Sequence, residues 1–590
     1  MQEALIRRPR RLFAAGANFV FPALLILAIY AALVLVLPSR VFWSPDEGCK
    51  FIQMSGWSFE GRPAYSLPYP GKDRDPGWTY YPAAAIYPRP ARDSDPVRFC
   101  WPVWFPVLSR LPYALFGIRG LYLLPMLSGL ACAAWAAFLA RRLRPGGGPV
   151  ALLLVGLASP VFFYSLLFWE HTLAAALALW TLAAITVRVA DDKPLTGWRL
   201  VLTFLPLAAA VALRYDMLMF LVALAATLAV FPPGSREGGR GRALVGLVAA
   251  LLALWVAGAL LRGAVTVFSR EAGVAFPAYG ELGTAFRERL SVWRETLAEA
   301  PDLLRCVLIN DEAEFGWPLP RPVGWLVLSG LVIGLLSMAL PAGAWRAGSW
   351  LAGAWILAGA SFGALAHAER YRALHGLFVA APWMLIAALP PSPAASARGL
   401  RFLKILGLVY LAAFAGVSWL VGRPNGGPEW GSRFALITYP LWASVAGAAA
   451  GRGPRRAGLA SALVPATQVI LVLLGLGLSL RGLHEIRATK HDLGGLQKEL
   501  DPRVPVVTDL WWLSSALAPW SVRHPVFTLN PGASLPGWIE QVGSREGSFQ
   551  YVGYRAPALD PRAGVPLTPR RLMTRHGFVI WTVDAAAPPP

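Results

Sequence analysis

The sequence predicts a polytopic α-helical membrane protein with about thirteen transmembrane helices. Of its 590 residues, 56% are hydrophobic and only 15% are charged, whereas a soluble domain is about one quarter charged. Apolar runs of roughly 17 residues or more recur along the chain, and each is long enough to cross a hydrocarbon layer of about 30 Å. Lysine and arginine also concentrate in alternate connecting segments, as they do when helices cross a membrane repeatedly.

The first apolar run follows Arg7, Arg8, Arg10 and Arg11 and is longer than the core of a signal peptide. It lacks a small-residue cleavage site, which predicts an uncleaved first span with its N-terminus in the cytoplasm. The predicted spans cover residues 19–37, 121–140, 149–167, 172–188, 199–213, 217–233, 243–262, 323–341, 349–366, 377–390, 404–421, 434–450 and 458–480.

The basic connecting segments all lie on the side of the membrane that also carries the N-terminus. They include RRLRPGGG, GSREGGRGR and GRGPRR. Because lysine and arginine mark cytoplasmic loops, the predicted topology is N-in and C-out in a bacterial inner membrane. The formal net charge of +21 is therefore a topology signal, and no nucleic-acid partner is predicted.

Three longer segments fall on the outer side. Outer loop one (38–120) and the loop at 263–322 each contain a stretch with the pattern of an interfacial helix, at 101–120 and 282–297. The third segment alternates short β-prone runs such as VPVVT and FVIWTV with Gly/Pro turns. The predicted organisation is a transmembrane domain at 1–480 and a small extracytoplasmic mixed α/β domain at 481–590.

Unusual polar residues gather in the outer turns. Ionisable residues at membrane depth are costly and usually mark function, so one outward-facing active site is predicted. The residues are Asp46 and Glu47 after span one, Glu170 and His171 in LLFWEHTLA, Arg214 and Asp216 in ALRYDML, Asp311 and Glu312, His367, Glu369, Arg370, Arg372 and His375 in HAERYRALH, and Arg423, Glu429 and Arg433 in GRPNGGPEWGSRF.

Each cluster also has a structural alternative. In SPDEG, Ser44 and Glu47 match a capping box with proline at the first helical position. The pair Glu170–His171 could be a polar turn, Arg214–Asp216 a local ion pair, and the basic outer turns membrane-interface anchors. The functional interpretation rests on their coincidence on one side of the membrane.

Other motifs point less clearly to chemistry. Asp-x-Asp triplets at 73–75 and 93–95 run directly into proline, which is typical of turns. There is no P-loop and no dinucleotide-binding glycine pattern after a strand. Cys49 and Cys100 share outer loop one and could form a disulfide in an oxidising compartment, with Cys306 as a competitor.

The acidic pair in the first outer loop, the second acid at the 3–4 hairpin, the interfacial helices and the outward C-terminal domain together resemble the GT-C glycosyltransferases. The resemblance is nearest to bacterial relatives of the protein O-mannosyltransferases and of the lipid A aminoarabinose transferase, and it covers about residues 15–440. It implies that Asp46 is the catalytic acid, with Glu47 beside it, and that Glu170 belongs to a second acidic site. It also implies that the basic outer turns bind the donor phosphate.

The predicted function is transfer of a sugar from a polyprenyl-phosphate donor to an extracytoplasmic lipid, glycan or protein acceptor. Asp46 is the predicted general base, and Glu170, His171 and Asp216 form a site that orients the acceptor. Arg214, His367, Arg370, Arg372 and Arg433 are predicted to bind the donor phosphate. If a divalent metal ion takes part, Asp46, Glu170 and His171 are its predicted ligands.

Three other classes of function stay open. A transporter or flippase of lipid-linked saccharides would carry charges near the middle of the membrane and often inverted repeats, and the sequence shows neither. A polymerase or ligase of surface glycans would use the same donors. A catalytically silent assembly or sensor protein could carry the same outer domain. The sequence does not indicate the sugar, the acceptor class or the oligomeric state.

Overall fold

The structure is a computed structural model of the whole chain. The description below covers residues 20–58, 64–84, 97–98, 102–194, 198–233, 256, 258, 274–275, 291, 308, 321–340, 344–367, 373–374, 376–390, 397–421, 430–450, 459–543, 547–556, 567–571 and 577–584.

Helices account for most of the described chain up to residue 499. Among the described residues, six apolar stretches are long enough to cross a membrane: Trp104–Leu143, His171–Asp191, Pro322–Ala339, Trp345–Ala366, Ala397–Ser418 and Ala462–Glu499. The helices are α1 (Val20–Val36), α2 (Pro45–Ser55), α3 (Trp104–Phe116), α4 (Leu123–Leu143), α5 (Gly147–Gly156), α6 (Pro160–Tyr164), α7 (His171–Asp191), α8 (Trp198–Leu213), α9 (Met217–Val230), α10 (Arg321–Leu336), α11 (Ala344–Ala366), α12 (Leu377–Ala380), α13 (Ala397–Val421), α14 (Thr438–Ala449) and α15 (Leu459–Glu499).

The stretch predicted as a span at 149–167 is not one continuous helix. Helix α5 ends at Gly156, and α6 begins at Pro160, whose ring nitrogen cannot donate to the preceding turn. The Ser159 hydroxyl accepts the Val161 N–H at 3.2 Å and caps the new helix. The chain then makes a fully buried turn at 165–170 before α7, and this turn carries Trp169 and Glu170.

The predicted span at 377–390 is also not one helix. It consists of α12 and a 3-10 helix at Pro382–Ala388, separated by Ala381. Pro382 again interrupts the hydrogen-bond ladder. Of the predicted span at 243–262, only residues 256 and 258 are described, so the count of thirteen spans stays a prediction.

Helix α15 is 41 residues long, or about 60 Å at 1.5 Å per residue. That length is about twice the hydrocarbon thickness, so its C-terminal half extends beyond the apolar layer. The span predicted at 458–480 falls in the N-terminal half of this helix, and the predicted domain boundary after residue 480 falls inside the same continuous helix. Buried polar residues such as Glu485 and Lys490 line this extension.

A mixed five-stranded sheet follows α15, in the order β6-β5-β7-β9-β8. Strands β6, β5 and β7 are parallel, with Val507 aligned to Phe527 and Tyr551, whereas β9 is antiparallel to both β7 and β8. The strands are β5 (Val506–Thr508), β6 (Val526–Thr528), β7 (Ser548–Gly553), β8 (Leu567–Arg571) and β9 (Val579–Asp584), and the short helices are α16 (Leu513–Ala516), α17 (Ala518–Ser521) and α18 (Leu535–Gln541). Two-residue pairs occur earlier, between β1 (Trp57–Ser58) and β2 (Ala64–Tyr65) and between β3 (Val97–Arg98) and β4 (Val274–Ala275).

The sheet region packs directly on outer loop one. The Phe42 N–H donates to the Ala516 carbonyl at 2.8 Å, and the buried Cys49 thiol donates to the Ser515 hydroxyl at 3.3 Å. Thr528 N–H donates to the Tyr80 carbonyl at 2.9 Å. Helix α2 is consequently held between the membrane helices and the sheet. Cys100 lies outside the described residues, so its disulfide stays a prediction.

Asp75, the last residue of the first Asp-x-Asp triplet, shapes the part of loop one that faces the sheet. Its buried carboxylate accepts the Tyr69 hydroxyl at 2.7 Å and the N–H groups of Thr79 and Tyr80 at 3.0 and 2.8 Å. The turn interpretation of this triplet is confirmed. The second triplet, at 93–95, lies outside the described residues.

Candidate active site

The first turn of α2 carries Asp46, ten residues after Val36, the last residue of α1. Pro45 occupies the first helical position, where a missing N–H costs nothing, and Asp46 and Glu47 follow it. A carboxylate in the first turn interacts favourably with the helix dipole. The Asp46 side chain is 26% exposed, so it is anchored by its helix and still accessible.

Asp46 forms an ion pair with Arg433, a residue 387 positions away. The Arg433 Nη1 atom donates to Asp46 Oδ2 at 2.8 Å. Only 7% of the Arg433 side chain is exposed, and its guanidinium carbon lies 4.9 Å from the ring centre of Trp169 and 5.0 Å from that of Phe434. The aromatic rings therefore hold the guanidinium in place through cation–π contacts.

Glu47 has a different environment, although it is the neighbour of Asp46. Its Oε2 accepts the N–H groups of Trp43 and Ser44 at 2.9 and 3.1 Å, and its Oε1 accepts the Phe168 N–H at 2.8 Å. The side chain is fully buried. Burial raises the pKa of the Glu47 carboxyl, and the charge of Lys490 and the three N–H groups oppose that rise. Backbone donors engage both oxygens, which is the capping role that the sequence left as an alternative.

Glu170 lies at the centre of a second charged group. Its Oε1 accepts Arg214 Nη1 at 2.7 Å, and its Oε2 lies 3.3 Å from the Lys50 ammonium. Arg214 Nε in turn donates to Asp216 Oδ1 at 2.7 Å. The Glu170 and Lys50 side chains are 3% and 2% exposed. The turns that precede α7 and α9 are thereby joined to α2, which carries Lys50.

The two acids of this group differ in protonation behaviour. Burial alone would raise the pKa of Glu170, but the positive charges of Lys50 and Arg214 outweigh burial and hold it below its usual value. Burial raises the pKa of Asp216, since Arg214 only partly offsets the loss of water around that carboxylate. Glu170 is therefore the carboxylate that stays charged most firmly.

Aromatic rings separate the two charged groups. Trp169 is fully buried, and its ring stacks on that of Tyr164 with the ring centres 5.4 Å apart. The same ring lies beneath the Arg433 guanidinium and beneath the Lys50 ammonium, which is 5.8 Å from the ring centre of Trp169. The His171 ring stacks on Tyr164 at 5.6 Å. Trp169 thus links the cation that pairs with Asp46 to the one that pairs with Glu170.

Two buried nitrogens near these charges lack a hydrogen-bond partner within the described residues: Trp169 Nε1 and His171 Nε2. His171 Nδ1 lies 3.4 Å from Arg214 Nη1, and because arginine can only donate, Nδ1 is the acceptor. In the neutral ring the proton then resides on Nε2. Both nitrogens are donors, and buried donors usually have an acceptor, supplied by protein, water or ligand.

The structure therefore brings together several of the residues predicted from sequence. Asp46 meets Arg433, and Glu170, Arg214, Asp216 and His171 form one contiguous group. His367 follows α11 with an exposed side chain and takes no part in the contacts described above. Arg370 and Arg372, predicted to bind phosphate, lie outside the described residues, as do Asp311, Glu312, Glu369, His375, Arg423 and Glu429.

Lys50 and Trp169 are site residues that the sequence analysis missed. Lys50 lies four residues after Asp46 on the same helix, and this spacing could have indicated a shared face. Trp169 directly precedes Glu170, but tryptophan is common at membrane interfaces and gave no distinct signal.

The described residues contain no group of three or more His, Cys, Asp or Glu side chains close enough to hold a metal ion. Asp46, Glu170 and His171 are thus not gathered as a ligand set. Glu170 pairs with two cations, Lys50 and Arg214. His171 Nε2 carries the proton of the neutral ring and is therefore a donor. The residues present do not fit the metal set suggested by the sequence.

No protein-family model matches the chain, and no curated protein matches it. Solved structures do match. ArnT from Cupriavidus metallidurans bound to undecaprenyl phosphate has 13% identity and a TM-score of 0.46, covering 96% of this chain and 99% of that one. The same protein in the apo state has 15% identity and a TM-score of 0.40, with 97% and 100% coverage.

The archaeal oligosaccharyltransferase AglB from Archaeoglobus fulgidus, in complex with an inhibitory peptide and a dolichol-phosphate, also matches. It has 12% identity and a TM-score of 0.34, covering 90% of this chain and 69% of that one. At these identities and TM-scores, the matches assign no donor, acceptor or residue role to this chain.

Among the described site residues, Asp46 is the carboxylate best placed to meet a substrate. Its side chain is 26% exposed, against 3% for Glu170 and 10% for Asp216, and Glu47 is fully buried. A partly exposed carboxylate beside a fixed guanidinium can exchange a proton with a hydroxyl, while the guanidinium binds an anion.

Proposed function

We propose that this protein is a membrane glycosyltransferase that moves a sugar from a polyprenyl-phosphate donor to an extracytoplasmic acceptor, with Asp46 as the general base. The observation that carries the proposal is the 2.8 Å contact between Asp46 and Arg433. It places an accessible carboxylate and a buried, ring-supported guanidinium side by side. These are the two groups that transfer from a phosphate leaving group to a hydroxyl requires.

In the proposed reaction, the acceptor hydroxyl oxygen forms a bond to the anomeric carbon of the sugar while the bond from that carbon to the phosphate oxygen breaks. The hydroxyl proton passes to the Asp46 carboxylate. General base catalysis of this kind typically contributes about 10²–10⁴-fold. The electron pair of the broken bond leaves with the polyprenyl phosphate.

Arg433 is the proposed partner of the departing phosphate. Arginine stays protonated and offers a planar set of donors that matches phosphate oxygens. The Trp169 and Phe434 rings fix the guanidinium before the reaction, so stabilising the charge that develops on the leaving group needs little rearrangement. The unpartnered donors Trp169 Nε1 and His171 Nε2 support a bound oxygen-rich group nearby.

Lys50, Glu170, Arg214 and Asp216 are proposed to position the site. Their mutual ion pairs are buried, and they connect α2 to the turns before α7 and α9. Arg370 and Arg372 remain proposed phosphate ligands on the sequence resemblance alone, and Glu47 becomes a proposed positioning residue because backbone N–H groups occupy its oxygens.

The test is to incubate the purified protein in lipid nanodiscs with radiolabelled polyprenyl-phosphate sugars and membrane extracts as a source of acceptor. A transferase should move label from at least one donor into a new product. Arg433→Gln should lower transfer because it removes the charge that faces the phosphate. Sealed proteoliposomes test the alternative: if no donor in a broad panel yields product and the lipid-linked sugar crosses the bilayer unchanged, the flippase alternative would replace this proposal.

A further inference from the structure

We propose that Asp46 occupies the donor phosphate's place on Arg433 in the resting protein, so that the phosphate must displace Asp46 before Asp46 can act as the base. This inference rests on the proposed function and concerns the order of its steps. One contact, between Asp46 Oδ2 and Arg433 Nη1 at 2.8 Å, joins the proposed base to the proposed phosphate ligand, so the carboxylate and the phosphate are drawn to the same guanidinium charge.

The two partners differ in freedom to move. Arg433 is 7% exposed and lies against two aromatic rings. Asp46 is 26% exposed at the first turn of α2, and its short side chain can rotate without moving the helix. The arginine is therefore the fixed member of the pair, and the carboxylate is the member that an entering anion can displace.

Charge balance indicates why Asp46, and not another acid, would yield. Three cations, Lys50, Arg214 and Arg433, meet three carboxylates in this cluster, so an added phosphate brings uncompensated negative charge unless a carboxylate withdraws. Glu170 is held by two cations and is nearly inaccessible. Within the described residues, Asp46 has an ion pair with Arg433 alone and Asp216 with Arg214 alone, but Asp46 is the more exposed of the two, at 26% against 10%.

Displacement would also change the chemistry of Asp46. When phosphate oxygens replace it on Arg433, the carboxylate loses that partner and can accept the acceptor's hydroxyl proton. No covalent bond changes in this exchange. Donor binding would thus precede and enable deprotonation, which keeps the base inactive when only water is present.

The test compares the binding of a polyprenyl monophosphate with that of the uncharged polyprenol, in nanodiscs, for wild type, Asp46→Asn and Asp216→Asn. If Asp46 competes for Arg433, the monophosphate binds only the wild-type molecules in which the Asp46–Arg433 ion pair is open. The apparent affinity of the wild type is then lowered in proportion to that fraction. Removing the charge should then tighten monophosphate binding by about tenfold, the lower range for one charge-assisted hydrogen bond. Polyprenol affinity should not change.

Asp216→Asn is the matched control, because it removes the same charge from the same cluster but from a carboxylate paired with Arg214. It should change the dissociation constant by less than about threefold, the scale of an indirect electrostatic effect. Asp46→Ser supplies a second variant if Asp46→Asn unfolds. The inference fails if removal of the Asp46 charge leaves monophosphate affinity unchanged or weaker, or if Asp216→Asn tightens binding equally.

The transfer assay separates this inference from the proposed function. If Asp46→Asn loses transfer but binds the monophosphate with unchanged affinity, the result supports Asp46 as the base and contradicts its competition with the phosphate for Arg433. If Asp46→Asn binds the monophosphate more tightly but transfers sugar at the wild-type rate, the result supports the competition and contradicts the catalytic role of Asp46.

Discussion

The Glu47 carboxylate accepts the backbone N–H of Phe168 at 2.8 Å across 121 residues of sequence. The same carboxylate caps the helix that carries Asp46, and Phe168 belongs to the buried turn that carries Trp169 and Glu170. One side chain thus ties the proposed base to the second acidic site. The ion pair between Lys50 and Glu170 is a second link between the same two parts of the site.

Glu47→Gln should therefore reduce both stability and turnover. Glutamine has one acceptor oxygen where glutamate has two. Its NH₂ group would face a backbone N–H that donates to Glu47 in the wild type, and that N–H would lose its acceptor. Leaving a buried donor unsatisfied costs about 1–3 kcal/mol. We expect a lower apparent Tm and a lower kcat with little change in donor affinity, measured by thermal unfolding and by the transfer assay.

The matched control is Glu540→Gln, the same change at an exposed position of α18. It should alter stability by no more than about 0.5 kcal/mol, as surface substitutions usually do. Equal effects at positions 47 and 540 would contradict the positioning role of Glu47.

Lys50 and Glu170 should be energetically coupled. Lys50→Met leaves a buried carboxylate with Arg214 as its remaining cation partner, and Glu170→Gln leaves the buried ammonium without that acid. The double variant removes both charges together. Contacting residues commonly show coupling of about 0.5–3 kcal/mol, so the double variant should be more stable than the sum of the single losses predicts. Additive losses in thermal unfolding would argue that this ion pair contributes nothing specific.

The lowered pKa of Glu170 has a definite pH signature. Because its pKa is depressed in the folded state, the stability it contributes is present above the unfolded value of about 4.3. That contribution disappears as the pH falls through the lower folded value. The Tm difference between wild type and Glu170→Gln should be largest near neutral pH and shrink below about pH 4. A difference that stays constant down to acid pH would contradict this ionisation state.

A substitution at Gly48 tests how closely the sheet region packs on α2. A Cβ at this position would overlap the backbone carbonyl of Ser515, which cannot move aside as a flexible side chain could. Gly48→Ala should separate the two elements and increase proteolysis between residues 500 and 590. Gly494→Ala is the control, because nothing lies within 4 Å of its Cβ position, and alanine is favoured over glycine in a helix interior by about 1 kcal/mol. Equal proteolysis of the two variants would contradict close packing at Gly48.

Local sequence patterns predicted the site residues that lie at turns between apolar runs. Asp46, Glu170, Arg214 and Arg433 were recognisable because charges at helix ends in an apolar chain have few structural explanations. Their pairing was not predictable, since Asp46 and Arg433 are far apart in sequence and nothing in the periodicity brings one hairpin against another. Glu47 and Asp46 look equivalent in the sequence, and only the Phe168 contact distinguishes the cap from the accessible acid.

The differences between the predicted spans and the observed helices have identifiable physical causes. Hydropathy continues through Pro160 and Pro382, although proline interrupts the hydrogen-bond ladder at both positions. In α15 the difference is reversed: polarity increases after residue 480, but the helix continues to Glu499, and polar side chains such as Glu485 and Lys490 are buried along it. Composition marks where the apolar layer ends, and it does not mark where a helix ends.

The central claim is that Asp46 removes the acceptor proton. The most direct measurement is the single-turnover rate of sugar transfer in Asp46→Asn, with the donor already bound and the acceptor at saturation. We predict a rate at least about 10²-fold below wild type, the smaller end of general base catalysis, with no loss of donor binding. A single-turnover rate equal to that of wild type would contradict the claim.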